Sequence, residues 1–121
     1  MKFFNEYIKY HLRVLFNIYR KLLLHFDKKH FAILYNFKSI ILLSPSRIYW
    51  DGENFIVTDK TLIDLNYKIR HQRQCNMAYE FGFSKRAEKL ASSYFLNKVN
   101  FQDGDIFIDC GANVGDLKIW F

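Results

Sequence analysis

Gly104-Asp105-Ile106-Phe107-Ile108-Asp109-Cys110-Gly111-Ala112-Asn113-Val114-Gly115-Asp116 is the stretch of this 121-residue chain whose reading decides the fold. Residues 105–110 read as a strand, and its middle, Ile106-Phe107-Ile108, is apolar whichever way alternate side chains point. A strand buried on both faces belongs inside a parallel sheet. A glycine turn follows at once, and Leu117 to Phe121 reads as the opening of a helix. At the carboxyl end of a parallel strand, this order creates a crevice faced by backbone N–H groups and a helix N-terminus. Gly111 would let the backbone come close to a ligand, since a Cβ there would occupy its space, and Gly115 would let the new helix pack tightly on its strand.

Spacing separates the nucleotide loops that could fill this role. The dinucleotide pattern G-x-G-x-x-G, begun at Gly111, needs glycines where this chain has Asn113 and Asp116. The P-loop pattern fails as well, because Asp116 stands at its second glycine and no Gly-Lys-Ser/Thr follows. An anionic Asp116 would face a pyrophosphate badly. A cofactor without phosphate fits better, and S-adenosylmethionine is one: its sulfonium is a cation, so Asp109 and Asp116 near the loop are tolerable or helpful.

The string from Gly104 to Asp116 resembles the first motif of the FkbM-type methyltransferases, Asp-x-Gly-Ala-Asn-x-Gly-acid. The stretch Tyr79-Glu80-Phe81-Gly82, continued by Arg86, Leu90, Tyr94 and Leu96, is similar to the family's segment before that motif, so the resemblance covers about residues 79–121. It implies an α/β, Rossmann-like class I methyltransferase fold in the full-length protein, with O-methylation of a sugar or secondary-metabolite hydroxyl. It also implies that Asp109, Gly111, Ala112, Asn113 and Gly115 form the loop that binds S-adenosylmethionine. By that analogy Asp109 orients the loop and helps hold the methionine amino group; the alternative is that it only caps the turn through backbone hydrogen bonds. The expectation is an N-terminal fragment, truncated after the first strand and glycine loop. A parallel crossover needs a dozen or more residues, and six follow Gly115. The groups that position and deprotonate an acceptor are not among the residues present, so the catalytic residues stay unassigned.

Ahead of the motif, Ser84 is a candidate N-cap for a short helix whose buried stripe is Ala87, Leu90, Ala91 and Tyr94. Arg47 to Trp50 and Asn54 to Thr58 favour β structure and flank Asp51-Gly52-Glu53, which predicts a hairpin. Residues 60–76 alternate weakly and then turn polar around His71, which reads as a solvated surface residue. Ser44-Pro45-Ser46 marks a boundary, because proline restricts its predecessor and donates no hydrogen bond. Three stretches result: a basic amphipathic helical segment over 1–46, a hairpin and linker over 47–78, and the start of the methyltransferase domain over 79–121.

The first stretch has its own chemistry. Phe4, Ile8, Leu12, Leu15, Tyr19, Leu22 and Phe26 recur at helical spacing, while Lys2, Lys9, Arg13 and Arg20 share another face. Residues 1–47 carry nine cations against Glu6 and Asp27, so the whole basic excess of the chain, formally +6, lies there. Packing of this helix against the rest of the protein is the plain reading. A non-enzymatic role, binding an acidic partner or an anionic membrane surface, is the alternative, and nucleic acid lacks any recognised module. Cys75 and Cys110 are lone thiols, and neither they nor the four His residues have metal-ligand spacing, so no metal is expected. Charges break every apolar run before it could serve as a signal peptide or span a bilayer, which points to a cytoplasmic protein, peripheral at the membrane if the basic helix binds one.

Overall fold

The structure, a computed structural model, describes residues 1–108 and 115–120. Its elements run α1 (Lys2–Leu23), α2 (Lys28–Ile41), β1 (Ser46–Trp50), β2 (Phe55–Asp59), β3 (Asn66–Ile69), α3 (Gln72–Ala78) and α4 (Phe83–Ser93), with 3-10 turns at Leu96–Lys98 and Asp116–Ile119. Residues 27–46, the second part of the stretch expected to be helical, are mostly α2. Asp27 caps it, its carboxylate accepting the His30 backbone N–H at 2.8 Å. The helix closes with Leu43 left-handed at φ 55°, and the N–H of Ser44 reaches back to the Ser39 carbonyl at 2.8 Å. Those are the bonds of a Schellman ending, and Pro45 beyond it prevents continuation.

The sheet is antiparallel, in the order β1-β2-β3. The expected hairpin forms with Ile48 opposite Val57, and its turn is tied by the Asp51 carboxylate, which accepts the N–H groups of Glu53 and Asn54 at 2.8 and 2.7 Å. Central β2 is buried almost throughout, whereas β3 alternates exposed Asn66 and Lys68 with buried Tyr67 and Ile69. One core joins all three stretches of the sequence: Leu23, Phe31 and Tyr35, then Ile48, Phe55, Val57 and Tyr67, then Tyr79 and Phe83. Aromatic edges supply much of the fit, with Phe31 against Phe55 at 5.4 Å and Tyr79 against Phe83 at 5.9 Å between ring centroids.

Four expectations change. Residues 60–76 hold β3 and α3 instead of an unstructured linker; a four-residue strand and a seven-residue helix are too short for their periodicity to stand out. Helix α4 begins one residue before Ser84, after Gly82 at φ 95°, and its first N–H is capped from a distance by Asp59 Oδ2, 2.8 Å from Phe83 N. The stripe of α1 does not pack: Phe4, Ile8, Leu12, Leu15 and Leu22 are exposed, and Leu23 is the buried residue of the helix. The segment 105–108 carries no ladder, and Ile106 and Ile108 face outward. A strand of a parallel sheet needs neighbours to take its backbone bonds, and the described strands pair antiparallel elsewhere; Asp109 and Cys110, the rest of that segment, lie outside the described residues. Among the described residues no helix is long and apolar enough to cross a membrane.

Candidate functional site

Between the end of α2 and the face of α4 lies an open cleft of about 760 Å³, walled by Leu43, Ser44 and Pro45 on one side and Lys85, Arg86 and Lys89 on the other. Glu80, in the loop between α3 and α4, lines it together with Gly82 and Arg20. This loop is the Tyr79-Glu80-Phe81-Gly82 stretch, so the upstream half of the resemblance forms the floor of a concave surface.

Glu80 is the hub of a buried ionic cluster. Its carboxylate lies 2.9 Å from Arg20 Nε and 3.6 Å from Lys38 Nζ. The Lys38 ammonium donates to Asn76 Oδ1 at 2.7 Å, and Asn76 in turn donates to the Arg20 carbonyl at 3.0 Å. The Glu80 backbone carbonyl accepts the Ser44 hydroxyl at 2.6 Å. Four elements converge here: α1 gives Arg20, α2 gives Lys38, α3 gives Asn76, and the following loop gives Glu80. Lys38 is only 2% exposed, and burial pushes its ammonium down to about 8; Glu80 opposes the fall and Arg20 adds to it. The signal in the sequence was Lys38 itself, a charge set between two apolar runs. Sequence reasoning passed over it as an interruption.

A second cluster holds the far end of the glycine motif. Asp116 is buried, and the Tyr79 hydroxyl donates to its two oxygens at 3.1 and 3.0 Å. Arg86 Nε stands 3.7 Å away, an ionic contact beyond hydrogen-bond reach. Burial raises the Asp116 carboxyl above the usual carboxylate range, while Tyr79 and Arg86 pull it back. The Tyr79 phenol is raised by burial and by the neighbouring Asp116 charge. Asp116 therefore anchors the motif to α4 and the core, where the sequence had set it near the ligand. Gly115 adopts φ 79°, ψ 39°, a left-handed conformation that starts the turn at Asp116, so its glycine serves the backbone.

Of the residues that the motif nominates for the cofactor, Gly115 is placed in this way, and Asp109, Gly111, Ala112 and Asn113 lie outside the described residues. His71 is exposed at the start of α3. Cys75 is buried in the core, and burial pushes its thiol up to about 12, which leaves it a packing residue. No group of three or more His, Cys, Asp or Glu among the described residues is arranged to hold a metal. Of the ionised groups that reach the cleft, Glu80 is engaged by Arg20 and Lys38, Arg86 by Asp116 and Lys85 by Glu88, while Lys89 is exposed on the face of α4. The Glu80 and Asp116 clusters position backbone.

Compared with known proteins, the chain has no matching family model, no matching curated protein and no matching solved structure.

Proposed function

We propose that the chain is the leading part of an S-adenosylmethionine-dependent methyltransferase of the FkbM type, which in full-length form methylates a hydroxyl of a sugar or secondary metabolite. The observation that carries the reading is the contact of Asp116 with Tyr79 and Arg86, because it joins the two separate stretches on which the resemblance rests into one packed unit. A loop that must receive a ligand on one side is better held from the other, and a buried carboxylate tied by a phenol and a guanidinium does that. Asp116 is turned inward with Arg86 Nε 3.7 Å away, so its charge faces the core and α4.

By the resemblance, Asp109, Gly111, Ala112, Asn113 and Gly115 hold the cofactor, whose chemistry is to offer a sulfonium methyl to an acceptor oxygen in line with it. The residues of this chain supply the floor: Gly115 sets the backbone turn and Asp116 fixes its register on α4. Closing the site takes further parallel strands and an acceptor-binding surface.

The test is isothermal titration with S-adenosylmethionine, run on residues 1–121 and on the same chain extended through its natural reading frame. Binding confined to the extended chain, and lost on Asn113→Ala, supports the proposal. An extended chain that binds a nicotinamide dinucleotide or a nucleoside triphosphate in its place, or none of the three, refutes it.

A further inference from the structure

We propose that α1 lies on an anionic lipid surface, with its apolar arc in the headgroup boundary and its cationic face toward water. This inference is independent of the cofactor reading, since it uses no residue of the glycine motif.

The body of the protein holds α1 only near its end. Tyr19, Leu23 and Leu24 pack on the core, Tyr19 donates to the Leu34 carbonyl at 3.2 Å, and Arg20 pairs with Glu80. Every residue from Met1 to Leu15 is exposed. A helix of 22 residues is about 33 Å long, so roughly two thirds of it extends free of the core. What it shows there is bulky and apolar: Phe3 is 92%, Phe4 67% and Leu15 61% exposed. A free helix of this length gains nothing from displaying Phe and Leu to water, and burial of such side chains is favourable.

The distribution of charge selects the occupant. At 100° per residue, Phe4, Leu15, Ile18 and Leu22 form the middle of the apolar arc, while Lys2, Lys9, Arg13 and Arg20 cluster on the opposite side. Tyr7 and Tyr10 stand on one flank of the arc, where a ring with a polar tip suits the headgroup depth. Glu6 is the lone acid of the helix, and the stretch 1–47 has seven more cations than anions. Such a helix, apolar on one side and basic on the other, is built to rest in a bilayer interface with anionic lipid beneath its cations. A second copy packed on the apolar arc would leave these cations facing water, whereas anionic lipid supplies their counter-charge. Geometry permits the contact, because Tyr19 and Leu23 leave the helix on average about a quarter of a turn from the Phe4–Leu15–Ile18 row, so the core sits beside the surface and not beneath the helix.

Flotation of the whole chain with vesicles tests this directly. The chain is expected to rise with vesicles of phosphatidylcholine containing a third phosphatidylserine, to stay down with phosphatidylcholine alone, and to be released by 0.5 M salt. The double variant Lys9→Glu/Arg13→Glu should lower partitioning by at least about 30-fold, from the loss of two cations near the surface. Phe4→Asp/Leu15→Asp should abolish it; all four positions are solvent-exposed, so circular dichroism and denaturation midpoints should stay as in the parent. The proposal is overturned by equal flotation on neutral lipid, by salt-insensitive binding, by unchanged binding of either variant, or by no flotation at all. Light scattering that shows a dimer which the Phe4→Asp/Leu15→Asp variant dissociates, with no lipid binding by the parent, would overturn it in favour of a second copy.

Discussion

Replacing Lys38 by Met removes a buried cation, and the consequence should be read in pH dependence more than in stability at one pH. The Lys38 ammonium falls from 10.5 to about 8 on folding. As pH rises through 8 the native state sheds this proton while the unfolded chain keeps it, so the unfolded state binds more protons and stability climbs. Integrated from pH 7 to pH 9, the gain is on the order of 1 kcal/mol, and it keeps growing until the unfolded lysine also loses its proton. Cys75 acts in the other direction, since its thiol rises from 9.0 to about 12 and the unfolded chain ionises first above pH 9. By pH 9 the loss is well under about 1 kcal/mol, and it is the same in both proteins. Absolute stability at pH 7 mixes several effects: the variant escapes the penalty of the buried charge but strands Asn76 Oδ1, which costs about 1–3 kcal/mol. The difference between parent and variant is free of that mixture. Urea unfolding at pH 7, 8 and 9 should show the parent gaining on Lys38→Met by on the order of 1 kcal/mol over the range. Parallel curves would show that Lys38 is solvated in solution, and a parent that loses ground would reverse the sign of the argument.

Tyr79→Phe leaves the buried Asp116 carboxylate with Arg86 alone at 3.7 Å, so it should cost about 1–3 kcal/mol and release hydrogen-exchange protection over residues 116–120. Protection unchanged there would mean that the tyrosine hydroxyl does not hold the motif. Gly82→Ala should destabilise by more than about 1 kcal/mol in thermal unfolding, because φ is 95° and a Cβ would meet Asp59 Oδ2 at 2.5 Å, the same oxygen that caps Phe83. In the folded chain at pH 8 the Cys75 peptide should resist iodoacetamide, as judged by mass spectrometry, and become labelled in urea. Fast labelling of native protein would place that thiol outside the core.

Local pattern alone determined the features whose cause lies within a few neighbouring residues. The hairpin follows from two β-favouring runs about Asp51-Gly52-Glu53, and α1 follows from the spacing of Phe4, Ile8, Leu12 and Leu15. By pattern Gly115 reads as room for a helix to pack on its strand; it serves a left-handed turn at φ 79°. The assignment of the motif to a sulfonium cofactor rests on resemblance, and four of its five residues lie outside the described structure.

Tertiary contact decided the rest. Periodicity marks a face as apolar but carries no information about what covers it, so the stripe of α1 looked like core and is mostly surface. Lys38, Asn76, Glu80 and Arg20 are scattered over 60 positions of the chain, and Asp116 is 37 residues from the tyrosine that binds it. Charges at such separations have no common pattern in the sequence; they become a cluster only when α2, the sheet and α4 close one core around them, and there the loss of water makes each pairing obligatory.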